Sequence, residues 1–368
     1  MTDLRTEEMI INIGPQHPAT HGVFRVVVKV DGEIIKEAVP VVGYLHRGTE
    51  KIAEDLTYTQ IIPYTDRLDY ASAMINNYAL VNAVEKLMNI KVPERAEFLR
   101  VIVMELNRIA SHLLWWGTYI LDLGATSPFL FGMRDREIIL RLLNELSGGR
   151  LTFNYMRVGG VKWDAPEGWI DKVGEFVQYM RKSIKEYHQL VTGNEIFLAR
   201  TKGIGIYDGE TAIAYGLSGP NLRGSNVKFD LRKNQSYSIY DRFEFDIPTG
   251  ETGDIYDRYM VRMKELEQSL DIIEQAVEQF PEEGDIKAKV PKVIRPPEGE
   301  LYARVETSKG ELGVHIVSKG KDKPYRLHLR RPSFVNLQIL PKILVGRTLA
   351  DLPAILGAID YILGEVDG

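Results

Sequence analysis

A chain of 368 residues is long enough to bury a substantial core, and its 44% hydrophobic and 26% charged residues match ordinary globular usage. The net charge of -5 carries no polyanion-binding signature, which argues against nucleic acid as a partner. No cysteine is present, so disulfides, thiolate catalysis and a cysteine-held iron–sulfur cluster within the chain are excluded.

The opening "MTDLRTEEMIINIG" lacks the basic start and apolar run of a signal peptide, and a cytoplasmic compartment is expected. Over the first 45 residues apolar and polar positions alternate, in "EMIINIG" and "FRVVVKVDGEIIKEAVPVVGY", which predicts a small antiparallel sheet with a hairpin turn at Asp31-Gly32. Between these strands, "GPQHPATHGVFRV" places His17 and His21 four residues apart. Pro18 and Gly22 make a helix there unfavourable, so the pair belongs to an irregular loop. Metal ligation is disfavoured, because no third ligand stands nearby and "HPATH" lacks the glutamate of an HExxH site. Two readings remain open: loop histidines bonded to backbone, or a proton donor that titrates near neutrality.

From about residue 48 the pattern takes a helical period. Within it, "DRLDY" at residues 66–70 reads as helix-start polarity, with Asp66 as the N-cap and Tyr70 packed behind it. Pro93 and Glu94 open a long helix on which Glu105, Arg108 and His112 share one face, predicting an internal ion-pair ladder. Residues 113–133, "LLWWGTYILDLGATSPFLFGM", are long enough to span hydrocarbon, but Asp122 at their middle would cost on the order of 3 kcal/mol there. The segment is expected to be a buried helix followed by a turn, with Asp122 requiring a partner. Further helices are predicted at 133–147, 167–199, 208–215 and 254–280, separated by two long loops rich in Gly, Asn and Arg. Strands return in "LYARVETSKGELGVHIVSKG" and "PYRLHLRRP". "GIGIYDG" has the wrong glycine spacing for a dinucleotide loop, and no Walker sequence occurs. The fold class is therefore α+β: one domain over 1–368, with an N-terminal sheet at 1–45, a helical core at 46–285 and a C-terminal β-element and tail at 286–368.

Taken together, "GPQHPATHGVFRV", "GYLHRGTEKIAE", "YTQIIPYTDRLDYASAM", "LDLGATSPF", "GGRLTFNYMRVGGV", "LRGSNVKFDLRKNQSYSIYDRFEFDIPTGETGDIYDRY", "GELGVHIVSKGKDKPYRLHLRRPSF" and the closing "GEVDG" resemble the D subunit of the respiratory NADH-quinone oxidoreductases, complex I. The resemblance spans nearly the whole chain in the family's order. It implies a fold related to the large subunit of nickel–iron hydrogenases, whose metal a cysteine-free chain could not hold. It also implies a quinone-headgroup site shared with the cluster-bearing B subunit, contacts with the C subunit and with the H and A subunits of the membrane arm, and a position on the cytoplasmic side of the cell membrane.

By the same resemblance His21 and Tyr70 are proton donors to the quinone and Asp122 is the partner of His21, while His17 is expected to brace the loop or line its edge. Imidazolium and phenol suit that task, with reference pKa values of about 6.5 and 10. Arg67 matches an arginine near the partner's terminal iron–sulfur cluster. Thr152 stands where many members carry a cluster-tuning histidine, so a lower-potential cluster and menaquinone as substrate are expected. No cofactor is expected on this chain alone. The alternative is a non-catalytic assembly subunit of a hydrogenase-related membrane complex.

Overall fold

The computed structural model describes residues 7–17, 20 and 22–368. Strands β1 (Glu8–Ile13), β4 (Arg25–Asp31) and β5 (Ile34–Val41) form an antiparallel sheet in the order β1-β4-β5, and Gly32, at φ +60°, turns the β4–β5 hairpin where Asp31-Gly32 predicts it. The strict alternation of β4 buries Val26, Val28 and Val30 on one face. The short strands β2 (Gln16–His17) and β3 (Gly22–Val23) pair antiparallel with His17 opposite Gly22, which makes the histidine segment a hairpin.

The helical core begins with α1 (Thr49–Asp55) and α2 (Tyr58–Thr65), the latter opened by a reciprocal capping box between Thr57 and Gln60. A 3-10 turn, Tyr70–Ser72, leads into α3 (Ala73–Met88). Helix α4 (Glu94–Asp122) is buried around almost its whole circumference and runs through the centre, with α5 (Thr126–Ser147) packed along it. The hairpin of β6 (Met156–Arg157) and β7 (Gly160–Val161) follows, then α6 (Trp169–Tyr187), α7 (Glu195–Thr201), α8 (Gly209–Ala214), α9 (Pro220–Arg223), α10 (Leu231–Asn234) and the long α11 (Ile255–Glu278).

A second antiparallel sheet, in the order β10-β9-β8, comprises β8 (Gly299–Thr307), β9 (Gly310–Ser318) and β10 (Arg326–Arg330). It packs on α3, and four short helices close the chain: α12 (Pro332–Leu337), α13 (Leu340–Leu344), α14 (Leu352–Ile359) and α15 (Leu363–Asp367). The α+β class therefore holds. Among the described residues no helix is long and apolar enough to cross a membrane.

Several local expectations need correction. The helix predicted over 133–147 starts at Thr126, because the turn after α4 occupies only residues 123–125. The helix predicted over 167–199 is interrupted: α6 passes into a π-turn at His188–Thr192, and Asn194 then caps α7 by accepting from the Ile196 and Phe197 amides. Asp66 is not an N-cap. It follows the last residue of α2, and Asp69 takes the capping role by accepting from the Ala71 amide at 2.9 Å.

Candidate functional site

Tyr70 sits on the 3-10 turn, which α4 and β8–β9 pin from below. Asn107 of α4 accepts from the Met74 amide and donates to the Ala71 carbonyl, while the Ser72 hydroxyl lies 2.5 Å from that of Ser308. Residues 71–85 are all buried, yet Tyr70 is 41% exposed, so the expectation of a packed tyrosine is overturned. Its ring instead lines a cavity of about 230 Å³, together with Ser111, Trp115, Lys309, Asp360 and Tyr361. One wall is apolar, from Leu114, Trp115 and Ile362; the other carries a phenol, a carboxylate and an ammonium. Burial, with the nearby charge of Asp69, raises the Tyr70 pKa above that of a free phenol.

The histidine hairpin reaches this region through residues that flank His21. Thr20 is fully buried, donates to the carbonyls of His17 and Gly22 at 2.8 and 2.9 Å, and accepts at its own carbonyl from the Tyr361 hydroxyl at 2.8 Å. A Cβ on Gly22 would stand 2.9 Å from the Leu363 side chain, at a φ of +135°, so this close approach requires glycine. His21 itself lies outside the described residues. His17 is exposed at the hairpin's edge.

Asp122 ends α4 and is half-buried, less enclosed than its place in an apolar run suggests. It faces the cavity wall indirectly. Its charge adds to burial in raising the Tyr361 pKa, and its carboxylate comes close to Gly357 of α14. The structure thus gathers Tyr70, Tyr361, the residues flanking His21 and, at their edge, Asp122.

Arg67 is brought together with another group. Its guanidinium is 47% exposed, donates to the Pro63 carbonyl at 2.7 Å and stands 3.5 Å from the fully buried carboxylate of Asp66. Burial pushes the Asp66 pKa up to about 7, against the pull of Arg67 and of Arg157 from the β6–β7 hairpin. Thr152 is half-buried on the loop leading to that hairpin.

The predicted ion-pair ladder on α4 is real and larger than one helix. The Glu105 carboxylate lies 3.1 Å from Arg108 and 2.9 Å from Arg232, and accepts from Ser269 and Tyr240. His112 meets Glu265 at 2.9 Å, and Arg223 joins Glu265 to Glu306 at 2.6 and 2.8 Å. All these side chains are buried, so the array ties α4, α9, α10, α11 and β8 together.

Sequence reasoning missed Lys309, Asp360 and Tyr361. A lysine in the predicted "TSKGE" turn reads as solvated, and nothing local marks it otherwise. Asp360 did leave a signal: it is the lone acid in "LPAILGAIDYILG", where an unpaired carboxylate would be costly. Among the described residues no group of three or more His, Asp or Glu is placed to hold a metal ion.

A cavity lined by polar and aromatic side chains, on a helical scaffold flanked by two small sheets, is the candidate site of this fold, and comparison with known proteins gives the class: a subunit of a respiratory oxidoreductase. The family model for the respiratory-chain NADH dehydrogenase 49 kDa subunit matches residues 122–296 and 289–368. Proteins described as the D subunit of NADH-quinone oxidoreductase from Bacillus mycoides strain KBAB4, Bacillus cereus strain ATCC 10987 and Bacillus anthracis are each 67% identical over 365 residues, covering 99% of this chain and 100% of each relative. The chain belongs to the 49 kDa subunit family of respiratory NADH dehydrogenases, a family related to the hydrogenase large subunit, and is a subunit of an NADH-quinone oxidoreductase.

Proposed function

We propose that this chain forms the quinone-headgroup site of the complex, against the cluster-bearing B subunit, and supplies protons as electrons arrive. The observation that carries this reading is the cavity that brings Tyr70 and Tyr361 together beside the buried end of the histidine hairpin. At about 230 Å³ it is smaller than the roughly 300–1,000 Å³ of sites for drug-sized ligands, a size suited to a ring and not to a long isoprenoid tail. An apolar wall from Leu114, Trp115 and Ile362 would pack the ring face, and the polar wall would meet its oxygens.

Reducing a quinone to quinol takes two electrons and two protons, and a headgroup lodged in protein cannot draw those protons freely from bulk water. Tyr70 and His21 are the proposed donors, with Asp122 orienting and charging the imidazole. A phenol with a raised pKa is a poor donor to a neutral quinone but a good one once the ring carries negative charge, so the proton would follow the electrons. Arg67 and Thr152 would face the partner's iron–sulfur cluster. With no titratable cation at Thr152, the cluster would sit at a low potential suited to menaquinone. The C subunit, with the H and A subunits of the membrane arm, would complete the setting on the cytoplasmic side of the membrane.

The test is quinone reductase kinetics of the assembled complex carrying Tyr70→Phe or His21→Ala. A fall in kcat of about 10²-fold is expected for each. Normal turnover in both would remove the catalytic role and favour a purely assembling subunit.

A further inference from the structure

Lys309 is an unusual lining residue. It sits in the turn between β8 and β9, 1% exposed, and its ammonium lies 3.2 Å from Asp69, 3.0 Å from the Ser111 hydroxyl, 3.3 Å from that of Ser308 and 3.7 Å from Asp360. Ser308 in turn lies 2.8 Å from Ser111 and 2.5 Å from Ser72, so a chain of hydroxyls runs from the ammonium to the turn that carries Tyr70. Asp360 is held in the left-handed region, at φ +56°, which turns the chain sharply after α14. Its carboxylate is shared between Lys309 and Arg262, the latter at 3.8 Å.

A third carboxyl completes the group. Glu365 of α15 is fully buried, accepts from the Ser333 amide and hydroxyl through one oxygen, and finds no hydrogen-bond donor at the other among the described residues. Among the described residues three buried carboxyls, Asp69, Asp360 and Glu365, therefore surround Lys309 and Arg262, and this set carries one more negative than positive charge when all are ionised. Such an excess is relieved by holding a proton. Burial and the charge of Asp69 push the Glu365 pKa up to about 7. Burial presses the Lys309 pKa down, but Asp360 and Asp69 outweigh it and leave that pKa raised.

We propose that Lys309, backed by Asp69, Asp360 and Glu365, is the proton supply of the cavity and reloads Tyr70 after each donation. This rests on the quinone reading. Two electrons from NADH oxidation, delivered by the complex, reduce the quinone, and as one quinone oxygen becomes anionic the phenol O–H of Tyr70 breaks and a quinol O–H forms. An N–H of the Lys309 ammonium then breaks and restores the phenol across the cavity that both side chains line. The neutral amine takes its replacement from the protonated carboxyl of the cluster, and the cluster is left one proton poorer for each turnover until it is refilled. The second quinol proton comes by the separate His21 route. Ammonium and phenol have reference pKa values close to one another, about 10.4 and 10, and here the surroundings move both in the same direction, upward.

Among the described residues the charged and titratable groups facing this relay are Asp69 and Tyr70 from the 3-10 turn, His112 from α4, Arg136 from α5 toward Tyr70, Arg258, Arg262 and Glu265 from α11, and Asp360, Tyr361 and Glu365 from the tail. Lys309→Arg separates a relay from a structural charge, because a guanidinium keeps the positive charge but does not release its proton.

In the assembled complex, with a short-chain quinone and pH varied from 5.5 to 9, Lys309→Arg is expected to keep KM within about twofold while kcat falls by about 10²-fold, and the fall should persist across the pH range. Native kcat and an unaltered pH profile in Lys309→Arg would overturn the proposal. Where Lys309→Arg does not assemble, Glu365→Gln supplies the test: native kcat should fall between pH 6 and 8 as the cluster loses its stored proton, Glu365→Gln, which keeps the shape but has no proton to give, should flatten that fall, and an unchanged profile overturns the proposal equally. A slow Tyr70→Phe complex beside a normal Lys309→Arg complex would reject this relay and leave the quinone reading intact. A normal Tyr70→Phe complex would reject that reading first.

Discussion

Replacing Glu105 by glutamine probes the buried array that ties α4 to α10 and α11. Glu105 sits between Arg108 and Arg232, two guanidinium groups that repel one another across it. Arg232 keeps a second carboxylate, Asp230, at 2.7 Å. Among the described residues Arg108 pairs directly with Glu105 alone, feels Asp230 at longer range, and otherwise donates to the Glu306 carbonyl. The substitution therefore strands one fully buried cation and leaves a second under-compensated. Breaking a buried pair in this way costs about 3–5 kcal/mol, because the surviving charge keeps its desolvation penalty. With an unfolding entropy of about 2.1 cal/mol/K per residue, a 368-residue chain loses about 5 °C in Tm for about 4 kcal/mol. Urea unfolding of the full chain, followed by circular dichroism at constant pH, measures the loss directly. A change below about 1 kcal/mol would refute the view that Glu105 compensates these arginines.

Asp66 provides a pH test: its folded pKa, about 7, lies above its ordinary 3.8, so its contribution to stability is full below about pH 4 and is lost as pH rises through 7. Up to about 4 kcal/mol is at stake over that span, and Asp66→Asn should gain on the native chain by that order between pH 4 and 8 in urea midpoints; a constant gap would contradict the burial argument. Gly310→Ala should disturb the turn that carries Lys309, since a Cβ there would lie 2.4 Å from the Ser218 hydroxyl at a φ of +127°. A loss above about 2 kcal/mol in unfolding free energy is expected, with reduced quinone turnover of the complex. Thr152→His should steepen the pH dependence of the partner cluster's potential in redox titrations of the assembled complex; a native complex that already shows a steep slope would count against the role assigned to Thr152.

Much of the architecture was legible along the chain because it depends on local periodicity. The alternation of β4, the Asp31-Gly32 turn, the entry of α4 at Glu94 and the paired strands β8 and β9 each follow from residues near in sequence. The shared face of Glu105, Arg108 and His112 was legible for the same reason, although its partners Arg232, Asp230, Glu265 and Glu306 were not, since they arrive from distant segments. The motif "DRLDY" pointed to Tyr70 but misassigned the cap, because choosing between Asp66 and Asp69 depends on where α2 stops.

The sequence by itself determined the α+β class, the absence of thiol chemistry, the β4–β5 hairpin and the charged face of α4. Tertiary structure alone decided that Lys309, Asp360 and Tyr361, more than 230 residues beyond Tyr70, share its cavity. A turn lysine and a tail aspartate carry no periodic signal, and their burial follows only from how β8–β9 and the C-terminal helices close over α4. Charges become chemically informative once folding has removed their water, and that removal is a property of the whole packed chain.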